Sequence, residues 1–136
     1  MASAADFQAW AQPDLVIPLG GRDFTVRPPS VGNAAKLLAC AVRAELNLGI
    51  VDGEMPAGVQ AVLDTIGPDE HPALGDTFAE MVDAGLSPVT IDRLAYFAVF
   101  YWTRGEEYAA RLARILWEPR DDEQPEGGEG PAPKAS

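Results

Sequence analysis

The chain has 136 residues, 47% of them hydrophobic, which suffices for one domain with a core of its own. Its formal net charge of −11 repels phosphate backbones and anionic lipid surfaces and so argues against nucleic acid and membrane as partners. No stretch approaches the roughly 20 apolar residues of a membrane helix. Met1 to Trp10 lacks the basic start and apolar run of a signal peptide, and a lone cysteine, Cys40, permits no internal disulfide, so a cytoplasmic location is expected.

After an N-terminal lead over residues 1–14, Leu15, Ile17 and Leu19 alternate with Val16 and Pro18. Gly20-Gly21 follows, and then Phe24 and Val26 alternate with Thr25 and Arg27. This pattern predicts a β-hairpin over residues 15–27. A two-residue turn at the glycines pairs Ile17 with Phe24 and Leu15 with Val26, so one face is apolar from both strands. Pro18 has no N–H for a ladder bond, and its strand therefore needs an unpaired side there, as at a sheet edge. A lone hairpin is marginal in water, and its apolar face requires helices packed against it.

Pro28-Pro29 ends the second strand, and Ser30 stands where an N-cap accepts a bond from the first free helical amides. A helix is predicted to about Leu46, its apolar stripe read as Val31, Ala34, Ala35, Leu38, Val42 and Leu46. Lys36, Arg43 and Glu45 are assigned to its solvent side. Asn47 to Pro56 reads as a loop, and Val59, Val62, Leu63 and Ile66 as a shorter helix stopped by Gly67-Pro68. A further helix over Ala73 to Ala84 puts Leu74, Phe78, Met81 and Val82 on one stripe and ends at Gly85.

Ser87-Pro88 supplies an N-cap and a first-turn proline for a helix running through Trp102, and Gly105 interrupts or ends it. From Glu106 the pattern is helical again, with Tyr108, Leu112, Ile115 and Leu116 on one face and Glu107 spaced to pair with Arg111. This helix ends before Pro119. Residues 119–136, mainly Asp, Glu, Gly, Pro and Ala, bury too little apolar surface to offset chain entropy, and a disordered acidic tail is expected. The fold class predicted is α+β, mainly α: an N-terminal hairpin followed by four to five helices, forming a single compact domain over residues 15–118.

The chemistry-bearing residues do not assemble into a catalytic motif. His71 is the only histidine and precedes Pro72 in an expected solvated surface loop. Cys40 lies among alanines and leucines with no basic neighbour placed to activate it, as a small buried thiol would. Gly20-Gly21 lacks the Lys-Ser/Thr pattern of a phosphate loop. Asp69-Glu70 and Asp121-Asp122-Glu123 lack the alternating spacing and central glycine of a calcium loop. No catalytic residue, metal or cofactor is assigned, and the chain is read as a non-enzyme.

What stands out instead is the uninterrupted apolar run from Leu94 to Trp102. Its residues also suit a strand, but the Ser87-Pro88 cap favours a helix. On that helix Ile91, Leu94, Ala95, Ala98, Tyr101 and Trp102 share one face, while Tyr96, Phe97, Val99 and Phe100 occupy the remainder and leave no polar side. Burying each such large side chain is worth roughly 1.5–3 kcal/mol, so exposing several is costly. The run is read as the central core element, with one side, joined by Trp117, meeting a partner or a second copy. The candidate partner-binding residues are Tyr96, Phe97, Phe100, Tyr101, Trp102 and Trp117.

Three stretches carry a family resemblance: LVIPLGGRDFTVRPP from Leu15 to Pro29, LGDTFAEMVDAG from Leu74 to Gly85, and SPVTIDRLAYFAVFYWTRG from Ser87 to Gly105. In this order they resemble the tail assembly chaperones of long-tailed phages that infect actinobacteria; the segment from Ala34 to His71 matches less distinctly. The resemblance implies a protein of the host cytoplasm that binds the long, aggregation-prone tape measure protein, helps tail tube subunits assemble around it, and is absent from the mature virion. The tail tube protein is then a second partner, and self-association a further expectation. Such proteins are often made in two lengths by a programmed frameshift. Ala132-Pro133-Lys134 permits codons forming a slippery run, a hypothesis that a gene without such a run or an overlapping downstream frame would refute. The competing reading is a structural tail or head-to-tail connecting protein, distinguished by its presence in purified particles; a small enzyme or regulator would need a pocket that collects polar groups.

Overall fold

A computed structural model describes residues 6–118 of the chain. The expected acidic tail and the Ala132-Pro133-Lys134 site lie outside these residues. A short 3-10 turn, Phe7–Ala9, precedes strands β1 (Leu15–Leu19) and β2 (Arg22–Val26). Five helices follow: α1 (Val31–Asn47), α2 (Ala57–Leu63), α3 (Thr77–Asp83), α4 (Pro88–Arg104) and α5 (Glu106–Trp117). The class is α+β, mainly α, as predicted.

The hairpin forms in the expected register, with Ile17 opposite Phe24 and Leu15 opposite Val26. Its turn is made by Gly20 and Gly21, at φ 60° and 84°. Two consecutive positive φ angles are what a two-residue turn needs to match the twist of the strands, and glycine adopts them without strain. Leu15, Ile17, Phe24 and Val26 are all buried. They belong to a first core cluster completed by Leu37 of α1, Ala73 and Leu74, Met81 of α3, and Ile91 and Ala98 of α4.

A second cluster gathers Ala41 and Ala44 of α1, Phe100 of α4, and Ala109 and Leu112 of α5. Helix α4 contributes to both clusters, which makes the apolar run the central element. The Ser87 hydroxyl caps α4 by accepting from the Thr90 N–H at 3.1 Å. At Gly105, φ 100° breaks the helical path: its N–H still donates to Phe100 and Tyr101 of α4, and its C=O accepts from Ala109 to open α5. Ser30 caps α1 in the same way, accepting from the Asn33 N–H at 3.2 Å.

Several expectations about helix faces and lengths are corrected. On α1 the buried residues are Leu37, Ala39, Ala41, Ala44 and Glu45, whereas Val31, Ala34, Ala35 and Leu38 are exposed. The helix is apolar around most of its circumference, so α4 packs against the arc through Leu37, Ala41 and Ala44. Helix α3 is shorter than Ala73–Ala84, because residues 72–76 form turns, mostly with bonds three residues apart, that bury Ala73 and Leu74; Val82 is exposed. Its end is as predicted: Gly85 N–H donates to Val82 O and Leu86 N–H to Met81 O. On α5, Ile115 and Leu116 are exposed, while Ala109 and Leu112 face the core.

Candidate functional site

The six candidate partner-binding residues divide four ways. Phe100 is 1% exposed and fills the second core cluster, which removes it from any accessible surface. Trp102 is half-buried, and its indole N–H donates to the Ala73 carbonyl at 3.2 Å, tying α4 to the turn before α3. Tyr96 meets Trp117 edge to face at 5.9 Å and faces a broad cavity between α1, α2 and α4. Phe97, Tyr101 and Trp117 come together in a narrower groove.

The broad cavity, of about 710 Å³, has mixed walls that include Cys40, Arg43, Glu70, His71, Asp92 and Tyr96. It thus brings the only cysteine and the only histidine to one space, a juxtaposition invisible in the sequence. Most of the groups are already engaged or poorly suited to chemistry. His71 is half-buried and stacked on Phe78, with ring centroids 3.7 Å apart, rather than solvated in a free loop. Glu70 pairs with Lys36 and accepts from the Gly67 N–H, which holds its carboxyl below the usual range. Burial pushes the Cys40 thiol up, against a smaller opposing effect of Arg43, the opposite of an activated nucleophile. No hydrogen bond joins Cys40 to His71, and no group of three or more metal-ligating side chains occurs among the described residues.

The narrower groove, of about 350 Å³, lies between β1, α4 and α5. One wall is the successive β1 residues Leu15, Val16, Ile17 and Pro18, and the other is Leu94, Phe97 and Tyr101 of α4 with Ala113 and Trp117 of α5. Arg93 and Glu106 complete it, the Arg93 guanidinium lying 5.7 Å from the Trp117 ring centre. Four consecutive strand residues can line one groove only if the strand edge, not one face, forms its wall, because successive side chains point to opposite faces. Val16 is 51% exposed here. The requirement of Pro18 for an unpaired edge was readable in the sequence; the helices facing that edge were not.

Beside these cavities sits an ionic clasp around a buried carboxylate. Arg104 at the end of α4 donates from Nε to Glu45 Oε2 at 3.0 Å and from Nη2 to Oε1 at 2.8 Å, and the Tyr108 hydroxyl donates to Oε2 at 2.8 Å. Glu45, assigned to solvent from the sequence, is therefore buried on α1 and clasped by α4 and α5. The Arg104 bonds hold its carboxyl below the ordinary range despite burial. The expected Glu107–Arg111 pair does not form, as befits an exposed helix surface where such pairs gain little.

Fold and site together define a small α+β protein with an apolar groove along a strand edge. The chain belongs to the family described as Domain of unknown function (DUF7426), whose model matches residues 5–136. No curated protein and no solved structure matches it. Among the described residues, no helix is long and apolar enough to cross a membrane.

Proposed function

We propose that this chain is a phage tail assembly chaperone, which binds the tape measure protein noncovalently in the host cytoplasm and promotes tail tube assembly without entering the mature virion. The observation that carries the reading is the groove lined by Phe97, Tyr101 and Trp117, an accessible apolar surface of the kind that holds exposed apolar segments of another protein. The net charge of −11 suits such a holdase, since like charge keeps chaperone–client complexes apart and dispersed. The resemblance of the hairpin, the α3 region and α4 to tail assembly chaperones supplies the client. The groove calls for no catalytic step, and binding a client's unfolded or unassembled form shifts its equilibrium by mass action alone.

Coexpression with the tape measure protein encoded nearby tests this directly. The expected result is that the tape measure protein stays in the supernatant and co-purifies with this chain. A tape measure protein that pellets equally with and without it, and never co-purifies, overturns the proposal. Recovery of the chain from purified virions would instead support a structural tail or head-to-tail connecting protein.

A further inference from the structure

The two edges of the hairpin are treated differently by the rest of the fold. In a hairpin with a two-residue turn, the pair flanking the turn, Leu19 and Arg22, exchanges ladder hydrogen bonds, as do Ile17 with Phe24 and Leu15 with Val26. The alternate pairs, Pro18 with Asp23 and Val16 with Thr25, then point their backbone groups outward. The outer edge of β2 confirms this parity, because the outward Thr25 carbonyl accepts from the Thr77 hydroxyl of α3 at 2.8 Å. So α3 covers the β2 edge. Among the described residues the β1 edge has no such cover: it presents the Val16 N–H and C=O and the Pro18 C=O along the groove.

We infer that the β1 edge is a strand-addition site, taking one extended segment of the client with apolar side chains at alternate positions and basic flanks. This rests on the chaperone reading above. Backbone pairing at Val16 supplies attachment that does not depend on sequence, and the pocket of Phe97, Tyr101 and Trp117 receives the side chains pointing inward. A groove of about 350 Å³ walled by helices opposite the strand admits a single extended chain, whereas the β1 of a second copy brings its own hairpin and helices with it. Pro18 further limits open-ended sheet growth by removing one donor from the edge. The lining carries one charge of each sign, Arg93 and Glu106, so the long-range preference is set by the net charge of −11 and favours basic over acidic flanks.

The test is hydrogen exchange resolved to the Val16 amide, measured on the full chain alone and in its complex with the tape measure protein. The expected result is at least about tenfold slower exchange at Val16 in the complex, and about tenfold weaker client binding by Val16→Pro than by Val16→Thr, which keeps the N–H. Val16→Pro leaves every ladder bond of the hairpin in place; should it fail to fold, exchange on the natural chain still decides. Co-purification with an unprotected Val16 amide overturns this inference and leaves the chaperone reading standing. Absence of any complex overturns that reading, and the strand-addition site with it. Protection that instead grows with the concentration of the chain alone assigns the edge to a second copy and also overturns the inference.

Discussion

The two core clusters are built from different materials. The first, under the hairpin, joins Phe24, Val26, Leu37, Leu74 and Met81, large apolar side chains drawn from four segments and containing no charge. The second has one large ring, Phe100, set among Ala41, Ala44, Ala109 and Leu112, with the Glu45–Arg104–Tyr108 clasp beside it. Alanines let α1, α4 and α5 approach closely, but they cannot move to fill space. The first cluster is therefore held by interlocking volume, and the second by one buried ring with the partly buried Tyr96 and Tyr108 packed on it, and by a set of charged bonds.

The largest expected effect tests this contrast. Phe100→Ala removes the buried ring from among alanines that have no side-chain freedom to fill its place, and takes away the ring that Tyr96 and Tyr108 pack on, so it should cost about 3–5 kcal/mol of unfolding free energy, near the top of that range. Met81→Ala, among longer and more adaptable neighbours in the first cluster, should cost less, about 2–3 kcal/mol. Denaturant titration of both variants measures this. A Met81→Ala loss equal to or above that of Phe100→Ala would show that the clusters differ in composition but not in mechanics.

The clasp gives the next effect. Glu45→Gln removes the charge that Arg104 and Tyr108 bind, and it should cost about 1–3 kcal/mol at neutral pH. The loss stays below that of a fully buried pair because the Arg104 side chain keeps 31% exposure and can be rehydrated. The folded-state carboxyl titrates below its ordinary value near 4.5. A group depressed in this way contributes stability that is complete above the unfolded value and is lost as pH falls through the folded one. The gap between the natural chain and Glu45→Gln should accordingly be constant above about pH 5.5 and narrow progressively below about pH 4.5. Stability curves that stay parallel down to about pH 3 would remove the clasp as the source of acid sensitivity.

The same contrast explains what could be read in advance. The hairpin was legible down to its register because each local signal agreed: alternation, a Gly-Gly turn and a proline fitted to an edge. The helix boundaries at Ser30, Ser87 and Gly105 were legible from capping chemistry, which acts over three or four residues. The buried arc of α1 was not, because VGNAAKLLACAVRAEL offers apolar residues on nearly every side and periodicity cannot choose among them. Glu45 was misplaced for a related reason: its partner Arg104 is 59 positions away, and nothing local marks a carboxylate as clasped. The groove was half legible. Its aromatic wall stood out as the Leu94–Trp102 run and its edge as Pro18, but their apposition is a tertiary fact.

The smallest effect comes from the other ion pair, and it sharpens why the clasp matters. Lys36 and Glu70 also join α1 to a distant segment, through one charged hydrogen bond where the Glu45 carboxylate accepts three. The surroundings of the two pairs differ too: the Lys36 and Glu70 side chains retain 24% and 34% exposure, against 8% for Glu45. Water and salt ions compete for the first pair and are largely excluded from the second carboxylate. Lys36→Ala should therefore destabilise the chain far less than Glu45→Gln, and raising the salt concentration to about 1 M should erase its effect while leaving most of the Glu45→Gln loss. Equal salt sensitivity of the two variants, read from melting temperatures at low and high ionic strength, would mean that burial does not set these pairs apart and that the second cluster is no more dependent on charge than the surface.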